Sequence, residues 1–154
     1  MTIYYLDSSA LVKRYLVEPG TAWVRTFTDP ASGDVTVISE ITLVEVAAAF
    51  ASHHRGGNIT IAERDAALRL FLHHADSEYQ LVPANRLIVD RAVLLTQQHR
   101  LRGYDAAQLG TALIVNTQYL AAGLPPLSFV ASDTDLLAAA AAEGLTTENP
   151  NAHP

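Results

Sequence analysis

No cysteine occurs among the 154 residues, which excludes disulfides and thiolate metal ligands and predicts a reducing, cytoplasmic setting. Lysine is almost absent too: the ten basic residues are Lys13 and nine arginines, against 16 acidic ones. The resulting net charge of −6 argues against a protein that coats nucleic acid through its phosphates alone. It leaves open a protein that meets phosphates through bound cations, whose charge offsets its own. Long apolar runs are missing as well. Leu136–Ala142 falls far short of the roughly 20 residues a spanning helix needs. No basic stretch precedes the first apolar segment, and Asp7 interrupts that segment, so no signal peptide and no membrane association are expected.

Apolar residues are plentiful by contrast, at 49% of the chain with a mean hydropathy of +0.15. A chain of this length is expected to form one domain, over residues 1–148 with a tail at 149–154. Part of its apolar surplus is expected to lie under a partner or a second copy.

Four carboxylates stand inside the most apolar segments. Asp7 ends Ile3-Tyr4-Tyr5-Leu6, Glu45 interrupts the run from Ile41 to Phe50, Asp105 opens the run to Val115, and Asp133 follows Phe129-Val130-Ala131-Ser132. A buried carboxylate is costly unless paired or metal-bound, and no basic residue lies within these segments to pair with it. Any one of the three aspartates reads equally well as a helix N-cap. Glu45, in mid-helix among apolar neighbours, does not.

Periodicity and punctuation predict strands at Ile3–Leu6, Val35–Ser39, Tyr79–Val82 and Leu127–Ala131, with a short edge strand from Thr146. Helices are predicted at Ser8–Leu16, Thr21–Thr28, Thr42–His54, from Thr60 to about Ala75, Arg86–His99, Asp105–Tyr119 and Thr134–Glu143. Thr60 and Glu63 are spaced as a capping box. Strands separated by helices predict an α/β fold with a parallel sheet covered on both faces. Ligands of such sheets bind beyond the carboxyl ends of the strands, where Asp7 and Asp133 fall.

Carboxylates about 4 Å apart repel by about 4 kcal/mol per pair at an effective dielectric near 20, so a convergent set would take up protons or cations. An all-oxygen site suits Mg²⁺ or Mn²⁺. Such ions promote in-line displacement at phosphorus, and phosphodiester hydrolysis is the leading chemistry.

The same residues carry a resemblance. Tyr5-Leu6-Asp7-Ser8-Ser9-Ala10-Leu11-Val12-Lys13, Glu45 within Leu-Val-Glu-Val, Leu101 to Leu109 around Gly103-Tyr104-Asp105, and Phe129 to Asp133 together resemble a PIN domain. More narrowly, they resemble the VapC toxins of type II toxin–antitoxin systems. The resemblance implies a three-layer α/β/α fold, a metal-dependent ribonuclease, a homodimer, and a small antitoxin laid across an acidic groove. It implies that Asp7, Glu45 and Asp105 hold the principal Mg²⁺ and that Asp133 completes the site. Asp135 is either a further metal-side acid or solvent-facing. Ser9 matches a small hydroxyl that supports the first aspartate. The reaction so implied is attack by water, with a carboxylate as base, leaving a 5′-phosphate and a 3′-hydroxyl.

On the substrate side, Lys13, Arg14, Arg100 and Arg102 read either as RNA contacts beside the acids or as solvated helix-end charges. Tyr104 reads as core more readily than as a base-stacking ring, and Trp23, Val24 and Phe27 read as an apolar helix face. His53-His54 and His73-His74 read as solvated helix ends and partly buried rings, because adjacent helical residues point about 100° apart. His99 and His153 show no ligand spacing. Two rival functions are weighed: a catalytically inactive binding module on the same fold, and a phosphoacceptor domain. The first predicts missing acids. The second requires a lysine near the last strand.

Overall fold

The computed structural model describes all 154 residues. Its centre is a five-stranded sheet in the order β3-β2-β1-β4-β5, parallel throughout. The strands are β1 (Ile3–Leu6), β2 (Val35–Ser39), β3 (Gln80–Val82), β4 (Leu127–Val130) and β5 (Thr146–Glu148). Seven α-helices cover it: α1 (Ser8–Tyr15), α2 (Thr21–Thr28), α3 (Glu40–Arg55), α4 (Ile61–Ser77), α5 (Arg86–Gln98), α6 (Gly103–Ala121) and α7 (Thr134–Ala142).

Alternation along β1 sends side chains to both faces, as a parallel sheet buried on two sides requires. Ile3 and Tyr5 join one apolar cluster with Leu95, Leu109, Ala112, Phe129 and Leu136, from α5, α6, β4 and α7. Leu6 joins the other with Leu11, Val24, Val46, Phe50 and Phe71, from α1 to α4. The chain therefore forms three layers, α/β/α. The chain order turns at β1, which pairs with β2 on one side and β4 on the other. The crevice at such a reversal is where doubly covered parallel sheets hold ligands.

Predicted and observed elements differ chiefly at their ends. The third helix begins at Glu40 rather than Thr42, because the Ser39 side chain accepts from Ile41 N and caps it. The sixth begins at Gly103, so Asp105 lies within its first turn and is not its cap. The capping box of Thr60 and Glu63 forms in full. The final residues pack back on α2: Pro150 is buried and the His153 ring stacks on Trp23 at 4.1 Å between centroids.

Candidate active site

Each acid reaches the carboxyl edge of the sheet by its own element. Asp7 follows β1 directly and caps α1, its Oδ1 accepting from Ala10 N at 3.0 Å and from Ser9 Oγ at 2.7 Å. Ser9 Oγ in turn accepts from Ser132 N at 3.0 Å, tying the loop after β4 to the loop after β1. Asp133 caps α7, with Leu136 N donating to Oδ1 at 2.9 Å. Glu45 projects from α3 and Asp105 from the first turn of α6.

Asp7 is 5% exposed, whereas Glu45 and Asp105 are half-buried and Asp133 is exposed. None of the four forms an ion pair with a basic side chain. Burial pushes the Asp7 carboxyl up to about 7 against the pull of the Ser9 and Ala10 hydrogen bonds, and the charges of Glu45 and Asp105 add to the rise. Burial likewise raises Glu45, opposed by hydrogen bonds from Gln108 and Ser8 and reinforced by Asp105. Asp105 is raised by burial and then by Asp133, with Arg102 opposing. Asp105 is thus the electrostatic link between the buried pair and the outer aspartate.

Glu45 is held on both oxygens. Ser8 Oγ donates to Oε2 at 3.2 Å and Gln108 Nε2 to Oε1 at 2.6 Å. Gln108 also accepts from the Tyr5 hydroxyl at 2.6 Å and reaches Thr42 Oγ1 at 2.9 Å, so it joins β1, α3 and α6 above the sheet edge. Sequence reasoning missed it, although it stands one helical turn beyond Asp105, where i and i+3 share a face. No three Asp, Glu or His side chains are gathered tightly enough to enclose an ion. The structure brings the carboxylates into one electrostatic group, not into a closed cage.

Beside them opens a cavity of about 390 Å³, lined by Asp105, Asp133, Asp135, His99, Arg100 and Arg102 among others. Asp135 is exposed on its wall. Arg100 and Arg102 are exposed there, in no ion pair. The other two predicted substrate cations are placed differently. Lys13 is 4% exposed and paired with Glu18 at 3.1 Å, and Arg14 is paired with Glu78 at 2.9 Å and donates to the Tyr79 hydroxyl. Lys13 ties α1 to the loop that follows it, Arg14 ties α1 to the end of α4, and neither lines the cavity. Ser9 also points inward, its hydroxyl already engaged by Asp7 and Ser132, so it positions the aspartate.

Tyr104 departs from expectation: it is 64% exposed beside Asp105 and does not pack in the core. The histidine pairs are dispersed. His53 faces Glu18, His54 meets the Ile59 carbonyl, and His74 meets the Tyr15 hydroxyl. His99, which sequence spacing passed over, lines the cavity.

No protein-family model and no curated protein matches the chain. Solved structures do match it. VapBC2 from Rickettsia felis, bound to a DNA fragment from its promoter, aligns with a TM-score of 0.66 at 15% identity, over 96% of this chain and 98% of that one. The fold is PIN-like. A toxin–antitoxin complex from Klebsiella pneumoniae aligns at 0.62 and 19% identity, over 96% and 97%. VapC20 from Mycobacterium tuberculosis, a sarcin-ricin loop cleaving toxin, aligns at 0.59 and 15% identity, over 99% and 100%. That fold accounts for the placement of Asp7 and Asp133 at the β1–β4 crevice, since each follows one of these two strands, while α3 and α6 bring Glu45 and Asp105.

Proposed function

We propose that the chain is a metal-dependent endoribonuclease of the toxin kind, hydrolysing RNA phosphodiester bonds and held inactive by a cognate antitoxin. One observation carries this reading: four carboxylates converge electrostatically at the crevice of a PIN-like fold and none is in an ion pair with a basic side chain. Such a group is expensive unless a cation joins it. The matched toxins named above lend the reading its biological frame.

The donors fit a hard divalent ion. All are oxygens, and Mg²⁺ takes only one or two carboxylates directly while keeping several waters, so a dispersed set suits it better than a full cage. Ser132 Oγ, buried without a hydrogen-bond partner, adds a further unengaged oxygen at this edge. Asp7, Glu45 and Asp105 would hold Mg²⁺, or Mn²⁺ in its place, and Asp133 with Asp135 would serve the outer side. When bound, the ion supplies charge neutralisation at phosphorus and activation of water. The chain's own residues then do the rest. One carboxylate accepts the proton of the attacking water, Gln108 and Ser8 fix Glu45, and Arg100 and Arg102 draw the phosphate chain toward the cavity. Tyr104 offers a ring on which an unpaired base can stack. The products are a 5′-phosphate and a 3′-hydroxyl.

No helix is long and apolar enough to cross a membrane, and the proposed setting is the cytoplasm. Exposed apolar side chains on α5, among them Leu87, Val89, Val93 and Leu94, are 47–57% accessible and belong in this reading to homodimer or antitoxin contact. The rival of an inactive binding module on the same fold is disfavoured by the retention of all four acids. The deciding experiment is cleavage of cellular RNA with Mg²⁺ by wild type, Asp7→Asn and Asp105→Asn, with end mapping. Loss in both variants, with folding intact, supports the site. Equal cleavage by all three would overturn it.

A further inference from the structure

Glu143 stands at the C-cap of α7, the end of a helix where the macrodipole disfavours a carboxylate. It is nevertheless held on both oxygens. Arg91 Nη2 donates to Oε2 at 3.0 Å and His99 Nε2 meets Oε1 at 3.0 Å. These two partners hold the Glu143 carboxyl below its ordinary range, the hydrogen bond to His99 foremost, so it is an ionised acceptor. An ionised carboxylate only accepts, and therefore His99 Nε2 carries a proton. The tautomer and ring orientation are fixed from one side. No hydrogen bond within the protein uses the other ring nitrogen, Nδ1, and the side chain, 21% accessible, lines the cavity shared by Asp105, Asp133, Arg100 and Arg102.

Arg91 already answers Glu143, so the carboxylate does not need His99 for neutralisation. The arrangement instead resembles the way enzymes orient an imidazole: one nitrogen on a carboxylate, the other presented to what arrives. The visitor to a cavity walled by two free guanidiniums and metal-seeking acids is a phosphodiester. An imidazolium oriented in this way donates a charge-assisted hydrogen bond to a phosphate oxygen through its second nitrogen.

Building on the nuclease reading, we infer that His99 contacts a backbone phosphate of the RNA in this cavity, and that Glu143 is the positioning residue that aims it. Arg100 and Arg102 supply diffuse attraction from exposed positions. His99 supplies a fixed point, which sets register relative to the carboxylates.

The test uses the full chain in an Asp7→Asn background, so that a short single-stranded RNA binds without being cut. Adding RNA should shift the His99 imidazole resonances. His99→Ala should weaken binding about tenfold, the worth of one hydrogen bond to a charged group, and lower the logarithmic salt slope by about 0.7. Glu143→Ala should reproduce the loss although Glu143 does not itself line the cavity, while Glu143→Gln, which keeps an acceptor for Nε2, should recover part of it. In the cleavage-competent chain, His99→Gln should raise KM with kcat nearly kept.

Unshifted His99 resonances with an unchanged salt slope, even if His99→Ala lowers Tm, would overturn the inference and leave the dyad a staple between α5 and α7. The nuclease reading has its own failure. If RNA shifts His99 and depends on it for binding, yet Mg²⁺ never brings cleavage in wild type, the reaction is wrong and the phosphate contact stands. If RNA is cut normally by His99→Ala with unchanged KM, the phosphate contact is wrong and the nuclease stands.

Discussion

Gln108 Nε2 donates to Glu45 Oε1 across 2.6 Å, joining α6 to α3 directly above the sheet edge. Because the same amide accepts from Tyr5, its orientation is fixed: the oxygen faces the tyrosine and the nitrogen faces Glu45. Gln108→Glu would turn a donor into a fifth carboxylate. The expected outcome is a loss of cleavage of about 10–100-fold, the usual cost of removing a partner that orients a metal ligand. Single-turnover rates at saturating Mg²⁺, compared with a Mg²⁺ titration, check whether the loss lies in ion affinity.

Asp133 and Asp135 are expected to differ. Asp133 caps α7 and raises the Asp105 carboxyl by its charge, whereas Asp135 only lines the cavity wall. Alanine at 133 should reduce cleavage more than alanine at 135. Asp133→Asn retains a capping oxygen, so its Tm should stay near wild type while its activity falls. A larger loss at 135 would exchange their roles.

Arg100 and Arg102 are free cations at the cavity. Removing both should weaken RNA binding and lower the logarithmic salt slope by about 1.4 for a single strand, about 0.7 for each phosphate no longer neutralised. Binding isotherms across KCl concentrations read this directly. Removing Arg14 should act on stability instead, because it takes a guanidinium from Glu78 and from the Tyr79 hydroxyl in a largely buried site.

His74 provides a pH signature. Burial, and then the charge of Arg14, lower its folded pKa, so the folded state keeps it neutral where the unfolded chain takes up a proton. Its contribution is present above the unfolded value near 6.5 and is lost as pH falls below it. The gap in Tm between wild type and His74→Gln should therefore narrow or invert on going from pH 8 to pH 5. A constant gap would contradict the assignment.

Gly20 has φ +90° and caps α2 against the backbone of Pro150, leaving no room for a Cβ. Gly20→Ala combines strain with overpacking and should cost about 1–3 kcal/mol. Chemical denaturation checks it, and loosening of the Trp23–His153 stack should accompany the destabilisation.

Most of the architecture is legible in the sequence because the inner strands β1, β2 and β4 are short, largely apolar runs followed by a polar break, and each long helix has a cap or a glycine stop. Position alone places Asp7 and Asp133 at the sheet edge. Their two readings, cap and acid, prove compatible: the same carboxyl does the capping and faces its neighbours. Lys13 escapes such reading because nothing local reveals that Glu18 will close on it in a buried pair. Tyr104 escapes it because an aromatic ring beside an apolar run carries no sign of which side of the helix it takes. Gln108 and the Glu143–His99 contact arise from residues 63 and 44 positions apart from their partners, a pairing that only the folded chain creates.

The carboxylates at 7, 45, 105 and 133 stand at four different junctions, and Ile3 of β1 pairs in register with Leu127 of β4. A chain emerging from the ribosome therefore lacks its outer acid, and the strand that precedes it, until residue 133 has been made. Partial chains hold at most an incomplete edge. The edge that gathers these acids is complete only once β4 lies against β1.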